Sequence, residues 1–344
     1  MNTRAKKISS IVFIILIIPL LYLLFLEGTK TTQSANSGSE KSADRNKTEQ
    51  RPLVDDNLNK RRIDRSYKGK IQYNFIILLD LSDRLTKNTP QENTLQVEKD
   101  KEIIRNLLSI FVGEVKAKLY INSQDSIKIA VAPQPTGYSP LLFSISKELE
   151  IDMRELRIRD RRTKLDQYIS NFSQNIDRLY DVSSQEKKLI GADIWTFFRD
   201  NLKTFMSKPG REETRNILII LTDGYIDFNK DVLRNRPSQG KRYSYMRVAD
   251  FRNDKDWEKK LDGDYGLIPI NEDFSSLEVL VLGIAPRFPN PNEYKIIEKH
   301  WTKWFDKMKI RHSELHKSED LQKQTENIIE AFLNAYPPVS TSLN

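Results

Sequence analysis

Three runs of the sequence are continuously apolar and rich in β-branched residues, which limits how they can fold. Residues 71–81 read IQYNFIILLDL, residues 216–221 read NILIIL, and residues 277–284 read LEVLVLGI. Strands of this kind are buried on both faces, as in parallel sheets that carry helices on each side. The three runs therefore predict the central strands of a covered sheet.

Segments with helical spacing separate these runs. The predicted helices are residues 93–116, 161–180, 194–206, 293–308 and 321–336. Residues 127–132 predict a further short strand, and residues 141–145 and 312–315 are additional candidate strands. This alternation predicts an α/β fold with a doubly wound, mostly parallel sheet, which binds ligands at the carboxyl ends of its strands. Residues 225–276 then form an insertion at that rim.

The charge is concentrated at the start of the chain. The 344 residues carry a net charge of +8, but residues 1–70 hold 14 basic and 7 acidic residues, a net +7. The remaining residues are nearly neutral and contain no nucleic-acid-binding motif, so we expect no nucleic-acid partner. The chain has no cysteine, which excludes disulfides, thiolate metal sites and a catalytic thiol.

The N-terminal region predicts a membrane anchor. Residues 8–26 are apolar enough and long enough to span a bilayer, and the basic residues of the preceding segment, 1–7, orient that segment towards the cytoplasm. A cleaved signal peptide is the alternative, but small residues do not follow the apolar run closely. Residues 27–69 predict a flexible polar linker, residues 70–337 the folded domain, and residues 338–344 a tail. We expect a single-pass protein of the inner membrane whose main domain is periplasmic.

Carboxylates end two of the predicted strands. Asp80-Leu81-Ser82-Asp83-Arg84 follows the first strand, and Thr222-Asp223-Gly224 follows the strand at 216–221. Because the carboxyl ends of parallel strands meet at one rim, oxygen ligands from Asp80, Ser82 and Asp223 predict a site for a hard divalent ion such as Mg²⁺.

These residues resemble the von Willebrand factor type A (vWA) family, which includes the integrin inserted domains. The resemblance covers residues 71–336 and implies that Asp80, Ser82 and Asp223 belong to a metal-ion-dependent adhesion site. Gly191-Ala192-Asp193 is similar to the family's Gly-Thr-Asp stretch. Two positions depart from the pattern, since Arg84 replaces the second Ser and Ala192 replaces the Thr.

The departures leave two hypotheses for the site. In the first, the Arg84 guanidinium replaces the metal and bridges Asp80 and Asp223. In the second, Arg84 turns outward, and Asp80, Ser82 and Asp223 hold Mg²⁺ weakly through water. The expected cofactor is therefore none, or a weakly bound Mg²⁺.

The resemblance implies a non-catalytic module that binds an unidentified protein partner. We expect contacts at the rim formed by Asp83, Arg84, Asp193 and Tyr225, while the bilayer is a second partner through the N-terminal helix. The alternative is a phosphatase of the haloacid-dehalogenase type that uses Asp80 as its nucleophile. That chemistry needs a general acid two residues later, where this chain has Ser82.

Overall fold

A computed structural model of the protein describes residues 71–81, 90–132, 139–185, 192–208, 213–227, 238–318 and 322–335. The chain divides into two compact units, Met1–Val54 and Asp55–Asn344, and all described residues belong to the second. The predicted anchor, linker and tail lie outside the described residues, as do Ser82, Asp83 and Arg84. Within the described ranges, no helix has the length and apolar character needed to cross a membrane.

The described residues form a mixed α/β fold around a six-stranded sheet. The strands of the fold are β1 Gln72–Asp80, β2 Ser126–Ala132, β3 Ile151–Asp152, β4 Thr214–Leu221, β5 Ser238–Gln239, β6 Arg242–Tyr243, β7 Gly266–Leu267, β8 Leu277–Ile284 and β9 His312–Lys317. The large sheet has the order β3-β2-β1-β4-β8-β9, and all its pairs are parallel except β2 with β3. The strand order reverses between β1 and β4, where such sheets form a crevice.

Helices cover both faces of this sheet. They are α1 Pro90–Ala117, α2 Pro140–Glu148, α3 Arg161–Gln185, α4 (Ile194–Thr196, a π-helical turn at Phe197–Asn201, and Leu202–Phe205), α5 Trp257–Asp262, α6 Glu293–Lys307 and α7 Gln322–Ala335. Alternate side chains of β1 enter two different cores, as a strand buried on both faces requires. Phe75 packs in the core that contains Phe111 and Phe332, whereas Ile76 packs in the core that contains Trp301. The predicted arrangement of covered, mostly parallel strands is confirmed.

One predicted strand is wrong. Residues 141–145 belong to α2, and the third strand is the two-residue β3. The Ser139 hydroxyl accepts a hydrogen bond from the Leu142 N–H (3.4 Å), and Pro140 stands in the first turn, which are both signals of a helix start. Leu142, Ile145 and Ser146 then face the core at helical spacing.

The insertion between β4 and β8 packs against α6. It contains the small sheet β5-β6-β7 and α5, in which Trp257 is buried. The indole N–H groups of Trp195 and Trp304 both donate to the Ile268 carbonyl, each at 2.9 Å. The Lys303 ammonium donates to the carbonyl oxygens of three insertion residues, Leu261, Gly263 at 2.6 Å and Tyr265 at 2.8 Å. These bonds fasten the described part of the insertion to the main core.

Candidate functional site

The ends of β1 and β4 place two of the predicted site residues next to one another. Leu79 is paired with Leu221, so Asp80 and Thr222 follow side by side at the reversal point of the sheet. Asp80 is fully buried, and its Oδ2 accepts a hydrogen bond from the Thr222 hydroxyl at 2.8 Å. The same hydroxyl oxygen accepts from the Gly224 N–H at 3.1 Å. Thr222 therefore joins Asp80 to the turn that carries Asp223.

An arginine from the loop after β8, Arg287, forms an ion pair with the Asp223 carboxylate. The Arg287 Nε donates to Asp223 Oδ2 at 2.8 Å, and its Nη2 lies 2.8 Å from the same oxygen. The Tyr225 N–H donates to Asp223 Oδ1 at 3.1 Å, so each carboxylate oxygen has a donor. The Arg287 Nη1 also donates to Asp227. Burial disfavours the charge of Arg287, but attraction from Asp223 and Asp227 outweighs this and raises the Arg287 pKa.

A second ion pair, between Arg252 and Glu293, is connected to Arg287 through the Tyr225 hydroxyl. The Tyr225 hydroxyl accepts a hydrogen bond from the backbone N–H of Arg287 (3.0 Å) and donates one to Glu293 Oε1 (2.5 Å). Arg252 donates to both Glu293 oxygens, at 2.7 and 2.9 Å. Burial would raise the Glu293 pKa, but the hydrogen bonds from Arg252 and Tyr225 outweigh burial and lower it. Burial and the neighbouring Glu293 raise the Tyr225 pKa. Tyr225 thus stays protonated and Glu293 stays charged, as the network requires.

Stacking contacts fix both guanidinium groups. The Arg287 guanidinium lies 4.1 Å from the centre of the Tyr225 ring, and the Arg252 guanidinium lies 3.7 Å from that of Phe288. Cation–π contact adds to the ion pairs because the ring faces are electronegative. These contacts therefore hold the two arginines in position.

The turn after β4 requires glycine at its third position. Gly224 has φ +95°, and a Cβ there would lie 3.0 Å from methyl carbons of Ile284 and Ile297. Its carbonyl accepts the Trp301 indole N–H at 2.8 Å. The Thr-Asp-Gly sequence therefore brings Asp223 close to the loop after β8, because the turn packs directly on β8 and α6.

The other predicted contact residues have structural roles here. The Asp193 carboxylate caps α4 by accepting the Thr196 N–H at 3.1 Å, and Ala192 is buried in the core. Tyr225 is also buried, with its hydroxyl inside the network, so its side chain is not available as an exposed contact. Ser82, Asp83 and Arg84 lie outside the described residues, and their predicted roles stay predictions.

Sequence reasoning missed the two cations of this network and two of its acids, Asp227 and Glu293. Arg287 and Arg252 lie 64 and 29 residues after Asp223, and Glu293 begins α6. The sequence signal for Arg287 is its position shortly after the end of β8, which corresponds to the position of Asp80 at the end of β1.

The described residues fit a divalent ion poorly. A cation beside Asp223 would lie close to the Arg287 guanidinium and be repelled by it. Among the residues that the structure describes, no group of three or more His, Asp or Glu side chains could hold a metal ion. The guanidinium on Asp223 belongs to Arg287, while the hypothesis that Arg84 bridges Asp80 and Asp223 lies outside the described residues and stays a prediction.

Comparison with known proteins does not assign the chain to a family. A scan of family models gives no match to the chain, and a search of curated proteins finds no relative. The resemblance to the vWA family consequently rests on the motif residues alone.

Proposed function

We propose that the chain is a membrane-anchored, vWA-like module that recognises another protein outside the cytoplasmic membrane and has no catalytic activity. The observation that supports this proposal is the ion pair between the Arg287 guanidinium and Asp223, one of the expected metal ligands. Such a site retains the vWA-like strand ends but is closed by an internal ion pair. Recognition is then assigned to the surface around the site.

The loop between β8 and α6 is the part of that surface best suited to binding. Phe288 is 49% exposed although its ring stacks on Arg252. Pro286, Pro289 and Pro291 surround it, and proline limits the conformations that the loop must give up on binding. Aromatic residues and arginine are the types that contribute most to protein interfaces. We therefore assign the principal contact to Phe288.

The phosphatase alternative is less well supported. Asp80 is fully buried and accepts a hydrogen bond from Thr222, whereas a nucleophilic carboxylate must reach its substrate. Turnover of p-nitrophenyl phosphate by the full chain, lost in Asp80→Asn, would favour the phosphatase over the recognition module.

Site-specific cross-linking tests the proposal. A photoreactive phenylalanine analogue replaces Phe288 in the full chain in its native membrane, and the same analogue replaces Leu141 as a control. Leu141 is similarly exposed, at 51%, but lies on α2, which follows β2, and β1 and β4 separate β2 from β8 in the sheet. We expect one discrete cross-linked product from position 288 that is absent from position 141. Equal patterns from both positions, or no product from position 288, would contradict the proposed contact.

A further inference from the structure

Three large apolar side chains are strongly exposed at the edge of the sheet where β1 and β2 begin. Leu119 is 70% exposed, Ile121 58% and Ile158 59%, and they are among the four most exposed large hydrophobic residues described. This edge is opposite the strand-end site. A cluster of exposed apolar side chains on a folded domain marks a surface that contacts another phase or molecule.

One buried arginine joins the two segments that carry these side chains. The Arg161 Nη1 donates to the carbonyl oxygens of Tyr120 (3.0 Å), Ile121 (2.6 Å) and Ser123 (2.9 Å). Arg161 follows Ile158 by three residues at the start of α3, so it fixes the segment after α1 against the segment before α3. The exposed side chains thus lie on one ordered surface.

The backbone of this surface is strained at two large residues. Leu119 and Tyr120 have φ values of 57° and 62°, in the left-handed region where glycine is usual after a helix. Glycine would relieve the strain, but it would also remove the side chain. Strain of this kind is concentrated at functional sites, and here it keeps the most exposed leucine in place.

Exposed basic side chains surround Ile158. Residues 154–164 contain six basic and two acidic residues. Arg154 is exposed but pairs with Asp152, and the remaining exposed cations are Arg157, Arg159, Arg162 and Lys164. Arg159 has a long, exposed contact of 3.7 Å with Asp160. Within the described part of the chain, no ion pair engages the other three cations. We call Leu119, Ile121, Ile158 and these four cations the edge patch.

The first strand of the domain, which follows the predicted linker, begins beside this patch. The Gln72 Nε2 donates to the Asn122 carbonyl at 3.2 Å, and the Gln72 Oε1 accepts the Gln124 N–H at 2.7 Å. The predicted linker, residues 27–69, has 43 residues. A random coil of that length has an end-to-end distance of roughly 35–40 Å. The tether would therefore keep the edge patch within reach of the bilayer.

We propose that the edge patch docks on the anionic surface of the bilayer that holds the predicted anchor. Its apolar side chains would enter the interfacial region, while its cations contact lipid phosphates, the combination by which peripheral proteins bind membranes. Docking would turn the opposite edge, with Phe288, away from the membrane and towards a partner. This inference rests on the anchor in the proposed function.

Single-cysteine labelling tests this docking directly, because the chain has no cysteine of its own. Full-length Ile121→Cys and Phe288→Cys carry an environment-sensitive fluorophore and are reconstituted into phosphatidylcholine vesicles with about one-third phosphatidylglycerol. We expect spin-labelled lipid to quench the probe at position 121 and not the probe at position 288. Replacing phosphatidylglycerol by phosphatidylcholine, or adding 0.5 M salt, should reduce the quenching.

Charge reversal supplies the matched comparison. Arg157→Glu with Arg162→Glu should weaken docking at least about tenfold, since each basic residue near an anionic surface strengthens binding roughly fivefold. Lys255→Glu with Lys259→Glu makes the same charge change in the insertion, on the other face of the sheet, and should leave quenching unchanged. Circular dichroism verifies that each variant is folded.

Three results would overturn the docking proposal. They are equal quenching at positions 121 and 288, no loss in the arginine variant, and a probe at position 121 that becomes buried without lipid quenching. The last result would assign the patch to a protein partner. Failure of the anchor is distinguishable, because the full chain would then not float with neutral phosphatidylcholine vesicles in 0.5 M salt, where docking of the patch is weak.

Discussion

Removing the charge of Arg287 should destabilise the domain through the carboxylates that it leaves behind. In Arg287→Met the aliphatic part of the side chain is largely kept, but Asp223 and Asp227 lose their cation. The side chains of Arg287 and Asp223 are only 21% and 10% exposed, so water replaces the lost partner poorly. Breaking a buried pair costs about 3–5 kcal/mol, and partial exposure reduces this to about 3 kcal/mol.

Arg199→Met is the matched control. Arg199 also pairs with a carboxylate, Asp200, and lies 4.8 Å from the centre of the Trp195 ring, but the pair is 43% and 45% exposed. Its loss should cost less than about 1 kcal/mol. Thermal unfolding of the full chain, followed by circular dichroism, should show a fall of roughly 6–10 °C for Arg287→Met and of a few degrees at most for the control.

A double-mutant cycle identifies the cause of the loss. Adding Asp223→Asn to Arg287→Met removes the unpaired charge and should recover at least about 1 kcal/mol. If Arg287→Met unfolds no more readily than Arg199→Met, the guanidinium is not what holds the strand-end site together. No recovery in the double variant would show that Asp223 does not depend on Arg287.

Three further predictions concern the supports of the site and the core. Burial lowers the pKa of His300 to about 3, against about 6.5 in the unfolded chain. Protonation then favours the unfolded state, so the free energy of unfolding should fall by up to about 1.4 kcal/mol per pH unit below pH 6.5. Urea titrations at several pH values should show that the free energy of unfolding depends less steeply on pH in His300→Leu than in the wild-type chain. Gly224→Ala should cost about 1–3 kcal/mol from strain and crowding, whereas Gly113→Ala, in open space on α1, should be neutral or stabilising; equal Tm values would refute this. Glu278→Gln breaks a buried pair with bonds of 2.9 and 2.6 Å and should cost about 3 kcal/mol or more, while Asp200→Asn, at an exposed pair, should change the free energy of unfolding by less than about 1 kcal/mol.

The sequence predicts the long, buried strands of this fold because burial on both faces leaves an uninterrupted apolar run. Residues 277–284 predict β8 over its full length for this reason. The two-residue β3 has no such signal, since its pairing with β2 is made by tertiary structure. The run at 141–145 contains four apolar residues in five, and only the preceding Ser-Pro distinguishes it as a helix.

The candidate site is predictable in part for a similar reason. Asp80 and Asp223 follow apolar strands, and parallel pairing brings the ends of those strands together. The partner of Asp223 comes from a loop 64 residues later, and no local pattern connects Arg287 to it. Arg84, the cation that the motif itself contains, lies outside the described residues. The identity of a compensating charge depends on the folded chain, whereas the need for one is visible in the sequence.

Calorimetric titration of the full chain with Mg²⁺ and Mn²⁺ tests the central claim most directly. If Arg287 occupies the place of the ion at Asp223, the wild-type chain should show no binding tighter than millimolar. Asp223→Ala provides the control for ions that bind elsewhere on the protein. Binding tighter than millimolar that disappears in Asp223→Ala would contradict the account and identify the strand ends as a working metal site.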